Sequence, residues 1–83
     1  MKVKKTNVKD DYARSIFKKN ISLIEVEDID AFVKAKEDSL GTRCIYVVEH
    51  EIRGGGFHKL TVHQDNLDPL GDAERTITYE WKD

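Results

Sequence analysis

TRCIYVVEHEIRGGGFHKLTVHQ, residues Thr42 to Gln64, reads as a β-hairpin closed by three consecutive glycines. Runs rich in β-branched and aromatic residues flank Arg53-Gly54-Gly55-Gly56, and glycine accepts the positive φ that tight hairpin turns require. Placing Arg53 opposite Gly56 sets Ile52 against Phe57, Glu51 against His58, Val48 against Thr61 and Tyr46 against His63. Side chains alternate along a strand. One face then carries Ile45, Val47, Leu60 and Val62, and the other Cys44, Tyr46, Val48, His50, Ile52, Phe57, Lys59, Thr61 and His63. A slip of one residue would reassign the cross-strand partners, so the division into faces depends on the turn.

Outward from the hairpin, Arg75–Lys82 (RTITYEWK) alternates as a half-buried strand, with Ile77, Tyr79 and Trp81 on one side. Gln64–Glu74 is a loop dense in turn formers, among them Asp68-Pro69 and Gly71-Asp72. Upstream, Asp28–Leu40 reads as a helix with Asp28 as N-cap, Asp30 in the first turn and Gly41 as the left-handed stop. Its buried side is Ile29, Phe32, Val33 and Leu40, with the Lys36 stem at the edge. Ile21–Glu27 favours a strand by its β-branched content, although Ser22 and Glu25 have capping-box spacing. Val8–Lys19 carries Val8, Tyr12, Ala13, Ile16 and Phe17 at helical spacing, with acids first and lysines last, and predicts a first helix. Met1–Asn7 is a ragged terminus or an edge strand.

The expected architecture is a single α+β domain over residues 1–83. Two helices pack on one face of a three- to four-stranded antiparallel sheet, in the order helix, uncertain strand, helix, then three strands. Its core would be Ile45, Val47, Leu60, Val62, Ile77, Tyr79 and Trp81 against Phe17, Phe32, Val33 and Leu40.

Eighty-three residues bury too little to carve a large enzyme cleft, and self-association is a natural way to gain burial. The chain is 39% hydrophobic and 36% charged with a net charge of -2, which excludes both a polycation and a strongly acidic nucleic-acid mimic. Charge is uneven nonetheless. Met1–Lys19 holds seven Lys/Arg against two acids, whereas Asn20–Leu40 and Gln64–Asp83 each hold two against six. A single cysteine cannot form an internal disulfide and suits a reducing cytoplasm. There is no apolar signal-peptide run and no membrane-length apolar stretch.

No motif reaches the strength needed to assign catalysis, a cofactor or a metal. Cys44, His50, His58 and His63 lack the paired spacing of a structural zinc site. Cys44 and His63 are diagonal neighbours in the expected register, but no third group orients them as a nucleophile pair, and Cys44 serves as a small apolar strand residue. Glu51 opposite His58 makes a surface ion pair. The glycines lack the Gly-Lys-Ser/Thr of a phosphate loop, and Asp65, Asp68 and Asp72 lack the calcium-loop pattern. No catalytic or metal residues are therefore expected.

If both helices cover one face, the other presents Tyr46, Val48, Ile52 and Phe57 as an apolar patch, and such patches mark interaction surfaces. The expected function is a non-enzymatic protein-binding module, monomeric or homodimeric. It would act through Tyr46, Val48, His50, Ile52, Arg53, Phe57, Lys59 and His63 on the sheet face and hairpin tip. The overall build resembles short accessory proteins of phages and mobile elements, which implies an inhibitor or regulator that blocks a host protein; no motif carries that resemblance. The alternative is a nucleic-acid-associated factor using Lys2, Lys4, Lys5 and Lys9.

Overall fold

The computed structural model describes residues 1–11, 15–66 and 73–83. Its elements are β1 (Lys2–Asp11), β2 (Ile16–Glu25), α1 (Ile29–Asp38), β3 (Ile45–Arg53), β4 (Phe57–Asn66) and β5 (Ala73–Lys82). The strands form one antiparallel sheet in the order β2-β1-β5-β4-β3, with β2 and β3 as its edges. The fold is thus mostly β, with one helix among the described residues, and not two helices on a three- to four-stranded sheet.

The first expected helix is the main correction. Val8–Asp11 belongs to β1 and Ile16–Lys19 to β2; Tyr12 and Ala13 lie outside the described residues. A helix of a dozen residues is marginal in water. As part of β1, between β2 and β5, Val8–Asp11 instead has its backbone groups paired on both sides. Met1–Asn7 accordingly enters an interior strand rather than an edge. Gln64–Asn66 and Ala73–Glu74 are strand ends rather than loop, and the turn formers Asp68, Pro69, Gly71 and Asp72 lie outside the described residues.

The second helix forms as its capping predicts. The Asp28 carboxylate accepts a hydrogen bond from the Ala31 N–H at 3.1 Å, and Gly41 adopts φ +86° just beyond the C-cap Ser39. Ile21–Glu25 is strand, as its β-branched residues suggest. Buried Val3, Val26, Val33, Leu60, Val62, Tyr79 and Trp81 form the core, with Ile24, Ile29, Phe32, Ile45, Val48 and Ile77 packed against it. The Phe32 ring meets Tyr79 edge to face at 5.0 Å, and the Lys36 ammonium lies 5.3 Å from both ring centres. Phe17 and Leu40, expected in the core, are exposed.

The hairpin register differs by one residue from the expected one. Arg53 pairs with Phe57, so all three glycines form the loop, with Gly55 at φ +80° and Gly56 at φ +77°. Val48, His50 and Ile52 therefore face Val62, Leu60 and His58 on the helix side of the sheet. A bulge between Ile45 and Val47 returns Ile45 to that side and leaves Val47 on the open one. Cys44 precedes β3 at φ +63° and is not a strand residue.

Burial holds the Tyr79 phenol above its ordinary range, with the Lys5 ammonium acting in the opposite sense. The fold thus favours the neutral phenol. Its contribution is complete below the ordinary tyrosine value of about 10 and is lost as pH rises through the folded value. Urea unfolding at increasing alkaline pH should show the parent chain losing stability more steeply than Tyr79→Phe; identical slopes would contradict this account.

Candidate functional site

Three regions depart from a solvated surface over a core. The first is the hairpin-tip end of the helix side. A cavity of about 480 Å³ lies between α1 and the sheet, lined by Asp30, Val33, Glu37, His50, His58 and Trp81 among others. Here the corrected register brings His50 and His58 together, where the expected one put them on opposite faces. His50 Nε2 is 3.0 Å from His58 Nδ1, and His58 Nε2 is 2.7 Å from the Asp83 carboxylate. Both imidazoles stack on Trp81, at centroid distances of 5.6 and 5.1 Å. Because the carboxylate only accepts, His58 Nε2–H donates to it. A neutral His58 then has Nδ1 free to accept from His50 Nε2–H.

This chain can hold and pass a proton, but among the described residues its cavity is lined by no Ser, Thr or Cys to act as a nucleophile. The one lysine there, Lys34, is engaged with Asp38 at 2.9 Å, and that bond holds its ammonium above the ordinary lysine range. Among the described residues no group of three His, Cys, Asp or Glu side chains is placed to hold a metal ion.

The second region is the open sheet face. Its centre is polar by construction. Lys4, Glu80, Lys59 and Glu51 pair across four strands as alternating charges, and Thr6, Thr78 and Thr61 form the next row. The expected patch therefore does not assemble. Tyr46, Phe57, Lys59 and His63 stand on this face, whereas Val48, His50 and Ile52 stand on the other. Tyr46 Oη donates to Glu74 at 2.6 Å and its ring lies 5.9 Å from that of His63. Arg53 pairs with Glu51 at the tip, where Phe57 carries the Lys82 ammonium 5.3 Å from its ring.

The third region is edge strand β2, which the sequence reading missed. Phe17, Ile21 and Leu23 are 63%, 58% and 69% exposed, and all three share the open face. The signal was the alternation of Lys19, Ile21, Leu23 and Glu25 within one strand. Of the four lysines proposed for nucleic acid, Lys2 and Lys4 lie on the open face, and Lys5 and Lys9 on the helix side.

No family model, curated protein or solved structure matches the chain. The likeness to phage accessory proteins, and the inhibitor role it implied, thus has no support and is withdrawn. Among the described residues no helix is long and apolar enough to cross a membrane.

The ring stack has a measurable consequence. Both imidazoles lie on Trp81, and the chain has one tryptophan, so its emission reports on them directly. His58→Leu removes one ring of the stack and the partner of His50, and should raise and shift Trp81 emission; a spectrum identical to the parent's would contradict the stacked arrangement.

Proposed function

We propose that the chain is a non-enzymatic protein-binding module whose docking element is the β2 edge, and that a second copy of the chain is the partner it fits. The observation that carries this reading is the apolar strip of Phe17, Ile21 and Leu23 on an edge strand that runs without bulge or proline.

Edge strands offer unpaired backbone groups, and proteins usually blunt them with bulges, charges or proline. β3 is blunted by its bulge and by Glu49 and Glu51. β2 has no bulge in its pairing with β1, no proline and no glycine. Its outward groups can be assigned. Val26 N–H donates to the Met1 carbonyl at 2.9 Å, and the Met1 amino group donates to the Val26 carbonyl at 3.1 Å. Bonded pairs alternate along an antiparallel ladder, so the even residues of β2 bond to β1. The odd residues, which also carry the apolar strip, aim their N–H and C=O groups outward.

Read along the open face, that strip is Lys19, Ile21, Leu23, Glu25. Antiparallel to itself about Ser22, it sets Lys19 against Glu25 and Ile21 against Leu23, twice each. Both charge and apolar surface are then complementary in one register. Glu25 already accepts from the Met1 amino group at 2.7 Å, which keeps its carboxyl below the ordinary range and so ionised. The free thiol of Cys44 suits action in the cytoplasm.

Light scattering should show a mass that rises with concentration towards two chains. Leu23→Lys should hold the protein as a monomer with an unchanged circular dichroism spectrum. Lys19→Glu should weaken association, and Lys19→Glu combined with Glu25→Lys should restore it. A single-chain mass at every concentration would overturn the reading.

A further inference from the structure

We propose that the helix-side face, at the end remote from the hairpin tip, binds the phosphates of a single-stranded nucleic acid. The register puts Lys18 opposite Lys9, Lys9 opposite Arg75, and Arg75 opposite Gln64. Three cations thus stand in one row across three adjacent strands, about 5 Å apart. Like charges directly opposite one another in a sheet are destabilising. Among the described residues none of the three forms an ion pair; the nearest acid by register on this face is Asp11, one row beyond Lys9.

The surroundings extend the row. Arg75 Nε is buried without an acceptor, and Asn7 Oδ1 on the neighbouring strand is buried without a donor. Lys5 stands two residues along β1 from Asn7, its ammonium 6.0 Å from the Tyr79 ring centre. Above the sheet, a cavity of about 430 Å³ opens beside α1 with Lys36 and Arg43 in its walls, Ile77 and Val62 in its floor, and no acid among the described residues that line it. The other flank of α1 turns Asp30, Glu37 and Asp38 towards the histidine cavity. The helix therefore divides this face into an acidic end and a basic end.

The shape of the cluster selects the ligand. A single phosphate is held by donors converging on a point. Here the cations are spread along a line and beside a narrow cavity, which suits successive phosphates of one flexible strand. Among the described residues the aromatics nearest the row are packed against α1 and offer it no base-stacking platform, so sequence preference should be weak. This set differs from the N-terminal lysines: it keeps Lys5 and Lys9, drops Lys2 and Lys4, and adds Lys18 and Arg75.

The test is fluorescence anisotropy of a labelled 20-nucleotide polythymidine across a salt series. For single strands the slope of log affinity against log salt is about −0.7 per cation engaged, so the row alone predicts about −2 and the row with Lys5 about −2.8. Lys9→Gln with Lys18→Gln should cut the slope by about 1.4. Lys2→Gln with Lys4→Gln, on the opposite face, should leave it unchanged. Lys9→Gln alone should raise the thermal unfolding midpoint while weakening binding, because it relieves the row. Four results would overturn the proposal: no binding at low salt; loss through Lys2 and Lys4 instead; inorganic phosphate competing as well as the oligonucleotide at equal phosphate concentration; or tighter binding of duplex or of a sulfated polysaccharide.

Discussion

One ten-residue helix is all that the described residues offer to cover the sheet, and much of the structure follows from that shortage. Such a helix is about 15 Å long. The strands beneath run to ten residues, about 33 Å, and five of them span roughly 19 Å between the outer axes. Burial is therefore concentrated where α1 sits, over Leu60, Val62, Tyr79 and Trp81 with Val3 and Val26 at its margin. Beyond its footprint the same face turns polar within one or two residues along each strand. β1 passes from Val3 to Lys5, Asn7 and Lys9, and β5 from Tyr79 and Ile77 to Arg75.

The uncovered face solves the opposite problem. Its interior strands carry rows of threonine and of alternating charge towards the hairpin tip, which keep it in water, and a row of three acids, Asp10, Glu74 and Asp65, at the far end. Against that background the β2 strip is an exception, because leaving large apolar groups exposed on an edge forgoes burial and risks pairing with other chains. Both edges carry charges, and β3 exposes Ile52. They differ in the ladder itself: a bulge interrupts β3, whereas β2 runs unbroken through ten residues with its apolar groups on one face, and that continuity favours a functional reading of β2.

What the sequence made legible follows from the same constraint. The Thr42–Gln64 hairpin, the strand ending at Lys82 and the Asp28-capped helix were readable because each combines local turn or cap chemistry with a clear apolar period. β1 and β2 were not. β1 is interior, yet it lies mostly outside the helix footprint and so lacks the apolar alternation of a covered strand. β2 places its apolar residues on the exposed side, which makes Ile16 and Phe17 look like part of a helical stripe with Val8. The hairpin register was illegible for a different reason. Three glycines can close a two- or a three-residue loop, and a single bulge near Tyr46 then reverses the faces on one side of it. Those two small shifts dissolved the expected patch of Tyr46, Val48, Ile52 and Phe57 and assembled the His50–His58–Asp83 chain in its place.

The proposed pairing and the proposed phosphate site are coupled by geometry. Antiparallel pairing of β2 with itself in a continuous sheet requires a two-fold axis perpendicular to the sheet, here through Ser22. Such an axis exchanges the two copies without exchanging faces, so both basic rows lie on the same side of the joined sheet. Lys18 stands four residues from the axis, about 13 Å along the strand, and its counterpart lies at the same distance on the far side. A strand long enough to reach both rows would meet twice the cations of a single chain, and the second contact would form at the high effective concentration set by the first. The edge that looks like a liability in one copy is then the element that turns a short row of cations into an extended one.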